Sequence, residues 1–168
     1  MNEVIKVKLY HISAHLENKE IFHPKIPNYR LKGENEIIKR ISVSDSIEGC
    51  LTGMPNGGSS LGETLNQTNR LLKVFEFDLN EVNLAKGSVI PPHILFKNGW
   101  VIDALRTNEH WITQSIKPSN QYLIEVIRWE EYDEPVIPEY LDMKINDEVM
   151  TIIESVIYAT KEMEMETK

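Results

Sequence analysis

The sequence predicts an α+β domain built on an antiparallel sheet of six or seven strands, with one short helix after the second strand and an amphipathic helix at the C-terminal end. Three observations carry that prediction. Apolar and polar residues alternate with period two in several short stretches, most clearly at 4–10 and 110–116. Clusters of Pro, Asn and Gly punctuate the chain between them. A sustained helical spacing occurs over 147–163, where Val149, Ile152, Ile153, Val156, Ile157 and Thr160 fall on one face.

Taken in order, residues 4–10 form a strand with Ile5, Val7 and Leu9 inward and Lys6 and Lys8 outward. His11 and Ser13 continue the inward parity at its end. A histidine there is either a core residue with one local partner or a ligand-binding group. Residues 14–36 carry Pro24, Pro27, Asn28 and Gly33 and read as a long loop, a length often tied to function. His11 and His15 have the spacing of a helical metal pair, but the first ends a strand and no further ligand is placed beside them, so no metal site is expected. A second strand spans 37–44. Asp45 is then the expected N-cap, with Glu48 reaching back, of a helix whose apolar face is Ile47, Cys50, Leu51 and Met54. A third strand spans 71–79, and 88–92 is a short edge strand because its two prolines cannot donate to a ladder. Residues 93–96 and 100–105 read as a hairpin around Asn98-Gly99. Residues 108–118 and 122–129 read as a strand pair turning at Pro118-Ser119-Asn120. The division is therefore a β-rich part, 1–132, and an acidic linker with a helix packed on it, 133–168, together one compact domain. The helix is also a candidate surface for homo-oligomer contact.

Composition narrows the class. The chain has 168 residues and a formal net charge of −8. Residues 1–40 hold eight Lys/Arg and five Asp/Glu, a local +3, and the remaining ten and twenty-one give −11. So acidic a body makes nucleic acid an unlikely partner. The basic residues Lys25, Arg30, Lys32, Lys39 and Arg40 could still receive a phosphate. The single cysteine, Cys50, excludes an internal disulfide and fits a reducing compartment. No long apolar run follows basic residues at the start, so neither a signal peptide nor a membrane span is expected, and the expected location is cytoplasmic.

Four stretches then appear in a suggestive order: Leu9-Tyr10-His11-Ile12-Ser13; Arg40-Ile41-Ser42-Val43-Ser44-Asp45 with its helix; Leu72-Lys73-Val74-Phe75-Glu76-Phe77-Asp78-Leu79; and Asn108-Glu109-His110-Trp111. Together they resemble the His…Glu pattern of the ADP-ribosyltransferase superfamily, including its poly(ADP-ribose) polymerase-like members. The resemblance implies a strongly bent or split antiparallel sheet and NAD as substrate. It implies Glu109 as the carboxylate that stabilises an oxocarbenium-like transition state, and His11 as the group that orients the ribose, so these two are the expected catalytic residues. Ser13, Ser42, Ser44 and Arg40 join His11 as expected NAD-binding residues. The second motif is degenerate, with Ser42 and Gly53 standing where the family carries tyrosines and Ile12 in place of a small residue. Tyr10, Tyr29 and Trp111 are the candidates for the missing ring.

Two functions follow from the resemblance. The first is an NAD-dependent ADP-ribosyltransferase or NAD glycohydrolase acting on an unknown acceptor. The second is a catalytically degenerate protein of that fold that binds a protein or nucleotide ligand, such as a phage-like inhibitor of host defence whose acidic surface meets a basic partner.

Overall fold

The period-two stretches assemble into one antiparallel sheet. The computed structural model describes residues 7–28, 30, 32–53, 70–81, 84–132, 137–145 and 148–151, with residue 70 and those from 127 onward described as backbone alone. The strands are β1 (Lys8–Ser13), β2 (Ile41–Ser44), β3 (Arg70–Asp78), β4 (Val89–Ile90), β5 (Glu109–Ile112), β6 (Asn120–Tyr132), β7 (Ile137–Ile145) and β8 (Glu148–Thr151). Among the described residues three short helices accompany them: α1 (Ile47–Thr52), α2 (Pro92–Lys97) and α3 (Ala104–Thr107). The spatial order is β4-β5-β2-β1-β3-β6-β7-β8.

β3 is buried on both faces, as a central strand should be. Leu72 and Val74 are inaccessible on one face, and Phe75 and Phe77 pack with Leu9, Val43 and Ile112 on the other. Each such side chain contributes about 2 kcal/mol of apolar burial. The β1–β3 ladder is continuous, from Lys8 opposite Asp78 to Ser13 opposite Lys73. On its other side β1 meets β2 only where Tyr10 lies opposite Ser44. The sheet is therefore one hydrogen-bonded array with a narrow seam between β1 and β2. Beyond the seam, a second apolar cluster of Leu95, Val101, Ala104 and Trp111 packs α2 and α3 against β5.

Several elements differ from the sequence reading, each for an identifiable reason. The expected hairpin over 93–105 is a pair of helices. Pro92 sits in the first turn of α2 and Asn98-Gly99 ends it, with Gly99 at φ 66°. Proline at a helix start and glycine in the left-handed conformation just past its end are helix signals as much as hairpin signals. The N-cap of α1 is Ser46 rather than Asp45: its hydroxyl accepts from the Gly49 amide at 3.0 Å. The two strands read as a hairpin over 108–129 do not pair. β5 joins β2 and β4, while β6 joins β3 and β7. Alternation identifies a strand and its buried face, but not its partner. The linker and helix expected over 133–163 give way to strands β7 and β8 at 137–145 and 148–151. Residues 152–168, which hold the rest of that helical spacing, lie outside the described residues. Among the described residues the sheet thus has eight strands, where the sequence predicts six or seven.

Candidate functional site

The seam opens into a cavity of about 830 Å³, a size suited to a small-molecule ligand. Its walls come from β1, β2, the loop after β1, α1 and the start of β5. His11, Ser13, Arg40, Ser42, Ser44 and Glu109, all of the residues expected from the sequence, line it.

Ser42 fixes the first of the two expected catalytic groups. Its carbonyl oxygen lies 2.8 Å from Nδ1 of His11. A carbonyl can only accept, so Nδ1 carries the hydrogen and Nε2 of the neutral ring holds the lone pair. Burial holds the imidazole below its ordinary pKa; the Ser42 hydrogen bond opposes this, and the charges of Lys19 and Lys25 add to it. Nε2 has no hydrogen-bond partner among the described residues. It is an acceptor directed by the fixed half of the ring.

Glu109 is delivered by a change of backbone direction. Asn108 ends α3 in the left-handed conformation, at φ 49°, and the next residue opens β5. The register places Glu109 opposite Ser44 and Trp111 opposite Ser42, so all four share one face. The Trp111 indole donates to Oε1 of Glu109 at 2.8 Å. Burial raises the Glu109 pKa; hydrogen bonds from the Trp111 and Ser42 side chains pull it back, and the acids Glu34 and Asp103 push it further up. Trp111 is itself fully buried, with the Arg40 guanidinium 3.9 Å from its ring centroid and Trp100 parallel to it at 5.9 Å.

Arg40 and Ser44 are committed to this framework. Arg40 pairs with Glu34 and donates to the Asn35 and Ile38 carbonyls, both at 2.9 Å, with its side chain fully inaccessible. Its expected phosphate contact is thus replaced by support of the Trp111 ring and of the 34–38 segment. Ser44 donates to the Thr107 carbonyl at 2.7 Å and ties β2 to α3. Ser13 accepts from the His15 amide at 3.0 Å. Cys50 donates to the Tyr10 carbonyl at 3.1 Å, and burial pushes its thiol up, away from the thiolate.

No protein-family model matches this chain, and no curated protein and no solved structure matches it significantly.

The aromatic wall is made by a residue the sequence reading passed over. Phe22, from the loop after β1, sets its ring edge-on to His11 with centroids 5.3 Å apart, and packs against Phe75 at 4.8 Å. Both phenylalanines line the cavity but are only 5% and 2% exposed. Of the proposed rings, Tyr10 and Trp111 do not line it, and Tyr29 lies outside the described residues. The sequence held one signal for Phe22: an adjacent apolar pair, Ile21-Phe22, in the loop after β1.

Proposed function

We propose that the chain is an NAD-dependent ADP-ribosyltransferase or NAD glycohydrolase, with Glu109 and His11 as its catalytic pair. The observation that supports this best is that both line a single cavity at the seam, His11 with its ring fixed on the Ser42 carbonyl and Glu109 held by the Trp111 indole. In this reading the bond between nicotinamide and ribose C1′ breaks and its electron pair leaves with nicotinamide, which becomes neutral. Positive charge develops on the ribose ring, and the Glu109 carboxylate stabilises it. The nucleophile, water or an acceptor group, adds at C1′ and gives its proton to Glu109. His11 accepts a hydrogen bond from a ribose hydroxyl through Nε2, which its fixed tautomer leaves available. The narrow seam is in keeping with the split sheet that the sequence resemblance implies.

The test is release of nicotinamide from NAD, with and without candidate protein and nucleic-acid acceptors. Wild-type protein is expected to release it, and Glu109→Gln to lower the rate by roughly 10²–10⁴-fold. An unchanged rate in that variant removes Glu109 from the mechanism.

A second reading rests on a specific observation. Among the described residues no tyrosine lines the cavity, and its two phenylalanines are packed into the core. A cavity without a free aromatic face suits a degenerate member that binds a nucleotide or protein without turning it over. Saturable binding of ADP-ribose with a rise in melting temperature, but no nicotinamide release, would favour it.

A further inference from the structure

The loop between β1 and β2 has little regular structure, yet it is pinned along its length. The Asn18 amide oxygen accepts from buried Lys73 at 2.6 Å. The Lys19 backbone amide donates to Gln121 at 2.9 Å. Phe22 exchanges backbone hydrogen bonds with Ile116 at 2.8 and 3.0 Å, and Lys25 does so with Arg40 at 3.1 and 3.0 Å. His23 reaches the Ser115 hydroxyl at 2.8 Å. A segment tied at so many points behaves as a fixed strap across the sheet, not as a free surface loop.

The charges on the strap are unusual for this protein. The chain is strongly acidic overall, yet Lys19 and Lys25 have no carboxylate partner among the described residues. Both line the cavity, and both lie close enough to act electrostatically on the His11 ring. Lys19 is held with its ammonium 4.3 Å from the Phe22 ring centroid, so its head group is placed by the same aromatic that packs on His11. Glu109, Glu34 and Asp103 also line the cavity, and the last two act on Glu109 electrostatically. The lining is mixed in charge: Lys19 and Lys25 face it from the strap, Glu17 stands just before the strap, and Glu109 closes the β5 side next to the neutral imidazole. The arginines at the same cavity are spent elsewhere: Arg40 on Glu34 and two carbonyls, Arg30 on the Pro27 carbonyl and near Glu36.

We propose that the strap from Asn18 to Lys25 is an anion subsite, in which Lys19 and Lys25 bind the diphosphate of a nucleotide whose ribose rests on His11. This rests on the nucleotide reading of the cavity and adds to it the direction in which the ligand lies: anionic end to the strap, cationic or reacting end to Glu109. Two ammonium groups without a carboxylate partner among the described residues, on a pinned backbone, form charge-assisted hydrogen bonds with phosphate oxygens, and Lys19 is already placed by the Phe22 ring.

The experiment is calorimetric titration of the full chain with ADP-ribose, inorganic pyrophosphate and nicotinamide, at low and high salt. The proteins are wild type, the double variant Lys19→Ala/Lys25→Ala, the double variant Lys19→Arg/Lys25→Arg, and Glu109→Gln. Both lysines are exposed, and a melting curve verifies that each variant is folded. The expected result is that the alanine pair weakens ADP-ribose and pyrophosphate by about tenfold or more and flattens their salt dependence, while nicotinamide binding is unchanged and the arginine pair restores affinity. Equal binding of ADP-ribose and pyrophosphate by wild type and the alanine pair overturns the proposal, as does failure of wild type to bind either. The two readings fail separately. Lysine-dependent nucleotide binding without nicotinamide release leaves the subsite standing and removes the enzyme, whereas Glu109-dependent release that ignores the lysines does the reverse.

Discussion

β1 has two neighbours and treats them differently. Against β3 it forms an unbroken ladder, closed on one face by Leu9, Phe75 and Phe77. Against β2 it pairs at Tyr10 and Ser44 alone, and past that point the His11 ring takes the Ser42 carbonyl. The first junction is held by backbone and apolar burial and tolerates changes at its surface. The second is held by side chains, each with one specific partner, so the polar groups that keep the sheet together there are the same ones that shape the cavity. A backbone group freed from a ladder must find another partner, and here that partner is the His11 ring.

Changes at the seam should therefore cost far more than changes at the ladder. The largest effect is expected for Arg40→Met, which removes the guanidinium from both Glu34 and the Trp111 ring: about 3–5 kcal/mol in denaturant unfolding. A loss below the range of ordinary surface variants would mean that the Trp111 support is not needed. Gly49→Ala comes next. A Cβ at Gly49 would lie 2.2 Å from the Ser44 hydroxyl and 2.4 Å from the Thr107 carbonyl, so β2, α1 and α3 must move apart, at about 1–3 kcal/mol. Trp111→Phe keeps an aromatic ring but deletes the donor to Glu109. Its expected signature is an acid limb of nicotinamide release displaced to higher pH, because a hydrogen bond favouring the carboxylate is lost. At the ladder, Lys8→Ala breaks an exposed ion pair with Glu76 at 3.4 Å and should leave the melting temperature unchanged.

Acid separates the junctions too. The folded His11 pKa lies below the ordinary 6.5, so its neutral form contributes stability at neutral pH that is lost as pH falls below about 6.5 and through the folded value. Glu109 acts in the opposite sense. Its folded pKa lies above the ordinary 4.5, so stability present below that pH declines as the buried carboxyl ionises. His11→Gln should remove the first dependence and Glu109→Gln the second, each read from melting temperature against pH.

The existence of β1 with Leu9 inward and the mixed α+β class were legible because alternation reports burial, although the strand spans Lys8–Ser13 rather than 4–10, Val7, expected inward, is exposed, and residues 4–6 lie outside the described residues. So was the helix after β2, although its cap falls one residue later, where Ser46 and not Asp45 meets the Gly49 amide. Strand partnership was not legible: nothing local to residues 108–129 says that β5 belongs beside β2, because that choice is made by Ile112 and Trp111 finding different cores. The helices at 92–107 were hidden by an Asn-Gly pair that serves either turn. At the cavity, His11, Ser42 and Glu109 stand out in the sequence by residue type and order, and all three line it. The role of Arg40 was misread because a cation in sequence carries no sign of being buried. Phe22 and Lys19 were missed because their positions depend on backbone bridges across the sheet.

The central claim is that His11 and Glu109 belong to one site across the seam. It is tested most directly by nuclear magnetic resonance of the His11 ring nitrogens and the Glu109 carboxyl carbon during titration with ADP-ribose. The account predicts that Nδ1 is protonated and Nε2 is not in the free protein at neutral pH, and that the Nε2 and carboxyl signals then move together along one saturable curve. A histidine signal that moves while the carboxyl does not, or two signals that follow different curves, would contradict it.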